Sequence, residues 1–218
     1  MHAPLMPRQS PEGDWQSTGG WFFAANPELS PTHIPAIWDP SAAAIVVQLR
    51  HGGIADGGFN ALTINENASI VARHSDDMAT HMVLACEGRR YRLIIIGDLA
   101  STAPLSFMLP VDHFWDVRRA AMSAFQEHVH LGVRRPRPAC LVPGHSERWR
   151  LVQWLRMLDA LPEGVSAREL AVDLIARDAG RYSSAEWDSS SERKRIARWQ
   201  RNALAVRDGG YLRLLNGR

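Results

Sequence analysis

Ser189–Val206 reads SSSERKRIARWQRNALAV, and these residues decide the character of the C-terminal part of the chain. Ile196, Trp199, Ala203 and Val206 recur at spacings of 3, 4 and 3, the apolar stripe of an α-helix. Lys194, Arg198 and Arg201 recur at 4 and 3 on a different face, flanked by Arg195 and Asn202, with Arg193 nearer the start. From Arg193 to Arg207 there are six basic residues and no acidic one. A helix with one apolar and one basic face suits a nucleic-acid groove: the apolar face seats it, and guanidinium forks reach phosphates and guanine edges. The bland alternative is a solvated basic face. Ser189-Ser190-Ser191-Glu192 has capping-box spacing, so the helix is expected to start there, with backbone N–H groups free for a phosphate. Asp208-Gly209-Gly210 ends it, as glycine after a helix does.

Two further helices precede it. Ser166-Ala-Arg-Glu169 is a second capping box, followed by Leu170, Leu174 and Ile175 on one face. Ser146–Leu161 has Trp149, Val152, Leu155 and Leu158 at helical spacing, with Ser146 as its expected N-cap. A polar, turn-like interval separates the second helix from the third. Residues 146–218 therefore read as a three-helix, helix-turn-helix-like DNA-binding domain with the basic helix last. Tyr211, Leu212, Leu214 and Leu215 form an apolar tail expected to fold back on the core.

Upstream, residues 132–144 (GVRRPRPACLVPG) hold three prolines and two glycines, and 132–145 reads as a linker. Residues 111–131 carry Phe114, Val117, Ala121, Ala124, Phe125, Val129 and Leu131 at helical spacing. Between Ala43 and about Leu109 the pattern is that of strands: Ile45–Leu49, Ala61–Ile64, Ser69–Ala72, His81–Cys86, Tyr91–Ile96 and Pro104–Leu109. Turn signals HGG, DGG, NEN and EGR separate them, and His81–Cys86 with Tyr91–Ile96 reads as a hairpin with a four-residue loop. The fold class is thus α+β. A small antiparallel sheet module over 21–131, with a covering helix, mediates self-association or binds an effector. Residues 21–40 read as an irregular ordered segment packing Trp21, Phe22 and Trp38, and 1–20 as a flexible arm.

Composition bounds the possibilities. With 218 residues and 45% hydrophobic content the chain can build a real core. The net charge of +2 hides an asymmetry: residues 145–218 hold 14 Arg/Lys against 10 Asp/Glu (+4), and residues 1–144 hold 11 against 13 (−2). Lys194 is the only lysine, so phosphate contacts would mostly be guanidinium forks. Cys86 and Cys140 form no C-x-x-C pair, and Cys86 reads as a small core residue. No apolar run reaches membrane-spanning length and the first residues lack a signal-peptide core, so a cytoplasmic protein without membrane contact is expected.

Catalytic and metal signatures are weak. His128-x-His130 points two ways along a helix and cannot chelate well. His145-Ser146-Glu147 has triad residue types, but adjacency in sequence is not triad geometry. Asp76-Asp77 reads as a solvated turn, no phosphate-binding glycine motif is present, and the eight tryptophans read mostly as core. The chain is not expected to be an enzyme, and no cofactor or metal is expected.

A wider pattern joins these pieces. Arg148, Leu155-Arg-Met-Leu-Asp159, Ser166-Ala-Arg-Glu-Leu-Ala171, Trp187, Arg193-Lys-Arg-Ile-Ala-Arg198 and Gly209-Gly-Tyr-Leu-Arg-Leu-Leu215 together resemble the C-terminal DNA-binding domain of the RovC-type transcription regulators. Residues 29–40 (LSPTHIPAIWDP) and the sheet region are similar to the segment that precedes this domain in such proteins. The resemblance implies a helix-turn-helix variant and sequence-specific promoter binding, often at type VI secretion or mobile-element genes. The expected DNA-binding residues are Ser189, Ser190, Arg193, Lys194, Arg195, Arg198, Arg201, Asn202 and Arg207. The expected partners are double-stranded DNA and further copies of the chain, in an activator of transcription. The competing reading is an adaptor or antiactivator that keeps the fold and binds another regulator protein in place of DNA.

Overall fold

Strands form where β-branched and apolar residues alternate. The computed structural model describes residues 35–52, 60, 64, 68–98 and 102–217. The expected arm over 1–20, the packing of Trp21 and Phe22, and residues 61–63 of the candidate strand Ala61–Ile64 lie outside the described residues; Ile64 itself is helical and buried, a correction to that strand. The chain divides into two units, Met1–Leu141 with Leu215–Gly217, and Val142–Leu214 with Arg218. The change of unit falls at Leu141/Val142, so residues 132–141 go with the first unit.

The first unit is built on a sheet of β1 (Val47–His51), β2 (Ser69–Ser75), β3 (Ala79–Cys86), β4 (Arg89–Ile96) and β5 (Leu105–Met108), in the order β2-β3-β4-β1-β5. The sheet is mixed, a correction to the all-antiparallel expectation. β1 runs parallel to β4, with Val47 opposite Leu93 and Leu49 opposite Ile95, and the other pairings are antiparallel. Alternation along a strand reveals its faces but not its neighbour, so the direction of β1 relative to β4 was not available from local pattern. The β3–β4 hairpin is also tighter than expected. Cys86 pairs with Arg89, which leaves only Glu87-Gly88 in the turn, both with positive φ (44° and 74°). Such a two-residue turn matches the twist of the strands it joins.

Helix α1 (Trp115–Phe125) covers one face of this sheet. Ala121, Phe125 and Val129 pack on Val47, Leu49, Met82, Leu84, Leu93 and Ile95, as the helical spacing predicts. Leu131, expected on that stripe, is exposed, because the helix has ended by then. Past Phe125 the chain continues as one π-helical turn (Gln126–His130), closed by the Leu131 N–H donating to the Gln126 carbonyl at 3.0 Å. Ala43, Val46, Ala79 and Ile94 form a smaller cluster on the other side, joined by Trp38 and Leu215. The end of the chain is fastened there. Asn216 accepts from the Ala44 N–H and donates to the Ala42 carbonyl, each at 2.9 Å. Arg118, although buried, pairs with Asp112 at 2.9 Å and donates to the Pro40 carbonyl, so its charge is compensated.

The second unit comprises α2 (His145–Ala160), α3 (Ala167–Leu174), α4 (Ser184–Ser189), α5 (Ser191–Ala205) and the short α6 (Leu212–Leu215), whose last residue belongs to the first unit. Its core is Met157 of α2, Leu170, Ala171 and Leu174 of α3, Ala179, and Ile196, Trp199 and Ala203 of α5. Three expectations are corrected. Helix α2 starts one residue earlier, with Gly144 at the N-cap position and no side-chain cap, so Ser146 lies inside it. Its buried residues are Gln153 and Met157; of the expected core stripe, Trp149, Val152 and Leu155 are 45%, 46% and 60% exposed, and Leu158 packs against the core. The interval read as a turn contains a 3-10 turn at Arg177–Arg181 and α4, which has its own capping box between Ser183 and Glu186. α3 and α5 are thus joined by a structured segment and not by a tight turn of 3–4 residues. The tryptophans follow the same lesson: of those in the described residues only Trp199 is fully buried, and Trp115 and Trp149 are exposed.

Candidate nucleic-acid interface

Helix α5 presents the two faces read from its sequence. Ile196, Trp199 and Ala203 are buried, while Arg193, Lys194, Arg195, Arg198, Arg201 and Asn202 are exposed. At about 100° per residue, Lys194, Arg198 and Arg201 share one stripe, and Arg195 and Asn202 lie toward α2.

The start of α5 is set by Ser190, not Ser189. The Ser190 hydroxyl accepts from the Arg193 N–H at 3.1 Å and donates to the Trp187 carbonyl at 2.8 Å. Ser189 is the last residue of α4, and its hydroxyl donates to the Ala185 carbonyl at 3.0 Å. The unexpected helix α4 moved the cap by one residue: once Ser183–Glu186 nucleates it, Ser190 is the first extended residue. The upstream box is as read: the Glu169 N–H donates to the Ser166 hydroxyl, and the Ser166 N–H donates to the Glu169 carboxylate. The Ser166 hydrogen bonds hold the Glu169 carboxyl below its usual range, and those of Ser183 do the same for Glu186.

The cations divide into two groups. Arg193 pairs with Asp188 at 3.2 Å, and Arg207 with Asp208 at 2.7 Å. That bond holds the Asp208 carboxyl below its usual range. Arg207 lies past α5, beside the kink where Gly209 takes φ of 120° and breaks the helix. Among the described residues, no carboxylate forms an ion pair with Lys194, Arg195, Arg198 or Arg201. Those four are the unspent charge of the helix.

Arg195 is fixed without a carboxylate. Its guanidinium stands 4.8 Å from the centroid of the Trp199 ring, and Trp149 of α2 meets the same ring edge-on at 5.7 Å. An open groove of about 810 Å³ runs between α2 and α5, lined by Trp149, Arg150, Lys194, Arg195, Arg198 and Asn202 among others. Trp149 and Arg150 line this groove and are not among the residues expected to bind DNA. The apolar periodicity predicts Trp149 in the core, but the arginines on both sides of it in Arg148-Trp149-Arg150 signal an exposed turn of the helix.

An exposed basic helix seated by its apolar face on a small helical bundle defines a class, the helical DNA-binding module. The family comparison narrows it: residues 108–216 match the RovC DNA-binding domain, described as a T6SS transcription-factor DNA-binding domain. The chain belongs to that family and carries a transcription-factor DNA-binding domain. The match begins upstream of the residues on which the resemblance was read and takes in α1 and the proline-rich segment. No curated protein and no solved structure is matched. Among the described residues no cluster of His, Cys, Asp and Glu could hold a metal ion, and no helix is long and apolar enough to cross a membrane.

Proposed function

We propose that the protein is a sequence-specific, promoter-binding transcription activator that lays α5 against double-stranded DNA in a helix-turn-helix-like manner and works as a homo-oligomer. The observation that carries this reading is the set of four exposed cations, Lys194, Arg195, Arg198 and Arg201, which pair with no carboxylate of the described residues, on a helix whose other face is buried. Arg193 and Arg207 contribute less, since binding must first break their pairs with Asp188 and Asp208. Asn202, exposed on α5, is assigned a base-edge contact, since an amide can make a bidentate contact to adenine. Ser190 acts through the helix start it caps, and Ser189, the last residue of α4, through the turn before it, since both hydroxyls are already engaged. Oligomerisation is supported by β2, the edge strand among the described residues, where Ile70 and Val71 are partly exposed. One small module reaches useful specificity when several copies meet repeated half-sites.

The test is fluorescence anisotropy of the full chain on its own upstream DNA across a salt series, with random DNA as competitor. Log affinity should fall with log salt at a slope of roughly −3 to −4, near −0.9 per neutralised phosphate. Arg198→Ala and Arg201→Ala should each weaken binding and flatten the slope by about one. Unchanged affinity in both variants would sink the assignment of α5. A promoter–reporter assay reads the sign of regulation, and lower output with the chain expressed would mean repression.

The second reading, an adaptor or antiactivator bound to another regulator protein, draws on the exposed Trp149, Val152 and Leu155 of α2. It expects no preference over random DNA and a partner affinity insensitive to salt.

A further inference from the structure

We infer that the first unit holds a binding site for a small organic dianion, in the cavity between α1, the π-turn and the proline-rich segment. The cavity encloses about 270 Å³. That is room for a compact organic anion. Three guanidiniums line it, from Arg89 at the start of β4, Arg119 on α1 and Arg135 on the proline-rich segment. The one carboxylate lining it is Glu127, which pairs with Arg135 at 3.2 Å. Arg119 has only an exposed partner, Asp116, at 3.5 Å. Arginines thus outnumber the lining carboxylate three to one; Asp116 offsets Arg119 in part from outside the cavity, and a dianion would meet Arg89 and Arg119 together. Val133 and Pro136 add apolar wall for a short carbon skeleton.

The local backbone and the buried polar groups point to the same place. His128 lines the cavity, is almost fully buried, and stands on the π-helical turn, a rare form concentrated at functional sites. Its ring is held at both nitrogens. Nδ1 lies 2.8 Å from the Tyr91 hydroxyl and Nε2 lies 3.2 Å from the Glu87 carboxylate. With Tyr91 donating to Nδ1, the Nε2–H donates to Glu87. Glu87 is the one non-glycine residue with positive φ among the described residues, a strained position that this contact helps to fix. A strained turn, a π-turn and a buried histidine would each be costly, and together they brace one wall of a basic cavity. Burial keeps the Cys86 thiol, 3.9 Å from Nε2, protonated, so this is a place for binding and not for nucleophilic chemistry. The site owes nothing to the DNA-binding reading and stands or falls apart from it.

The test is isothermal titration of the full chain with two dianion probes, succinate and inorganic phosphate, with sodium chloride at matched ionic strength as control. Saturable one-site binding of at least one probe is expected, and the probe that binds identifies the head group. Arg89→Gln and Arg119→Gln should each weaken it by about tenfold, the effect of losing one charge-assisted contact. Arg73→Gln, on the exposed strand β2, should leave it unchanged. The proposal is overturned if neither probe binds saturably, if both cavity variants bind as the parent does, or if Arg73→Gln weakens binding as much as they do. Thermal melts of each variant confirm that lost binding is not lost folding.

Discussion

The two units spend their polar residues differently. In the first, polar groups are turned inward and satisfied: Arg118 on Asp112 and the Pro40 carbonyl, and His128 between Tyr91 and Glu87. In the second, the buried set is almost wholly apolar, and four cations of α5 stand in solvent without a carboxylate. A sheet with three inner strands and a covering helix has enough interior to enclose polar groups at the cost of satisfying each one. A helical unit of some seventy residues has little interior to spare, and its chemistry is displayed on its surface. The first unit thus keeps its polar groups inside, and the second shows its charge on the surface.

The sharpest way to break this comparison is Phe125→Ala. The ring is fully buried and packs on Tyr91 and Phe107. Truncation should cost about 3–5 kcal/mol in a denaturant melt. A loss below about 1 kcal/mol would mean that α1 does not seal the sheet.

A second test uses pH. His81 is buried in β3, and desolvation pulls its pKa below the ordinary histidine value, with Asp76 and Asp39 opposing and His74 reinforcing the shift. The folded state thus binds its proton later than the unfolded state. The stability this contributes is complete above the unfolded pKa and is lost as pH falls from there toward the folded pKa. Between pH 7.5 and 5.5 the first unit should lose up to about 1.4 kcal/mol per pH unit below about 6.5. His81→Gln should flatten that slope, and an unchanged slope would rule His81 out as its source.

Ser183→Ala probes the second unit at a smaller scale. It removes both the acceptor for the Glu186 N–H and the reciprocity of the box that starts α4. A loss of about 1 kcal/mol is expected by chemical denaturation, and no loss would mean that α4 is held by packing of Trp187 alone. The smallest effect belongs to Leu155→Asn. At 60% exposure its side chain adds little to the core, so stability should stay within about 0.5 kcal/mol. A loss above about 2 kcal/mol would restore Leu155 to the core and undo the contrast between the units.

Much of the second unit was legible because its signals are local. The Ser166–Glu169 box spans four residues, and both of its hydrogen bonds are present. The stripe Ile196, Trp199, Ala203 is buried as its spacing implies. Gly209 breaks the helix with the positive φ that a side chain resists. What failed depended on neighbours. Trp149, Val152 and Leu155 form as good an apolar stripe as the one on α5, yet α2 turns Gln153 and Met157 inward. Periodicity shows that a face exists, but not whether another element covers it. In the same way, the runs of β1 and β4 announce strands without announcing their parallel pairing.

The candidate sites divide along that line. The basic face of α5 was determined by the sequence itself, because its residues lie within four turns of one helix and helical geometry alone brings them together. The groove shared with Trp149 and the basic cavity around His128 were decided by tertiary structure. Arg89, Arg119 and Arg135 come from a strand, a helix and a loop, and only the packing of α1 on the sheet and the return of the chain at the π-turn place them around one space.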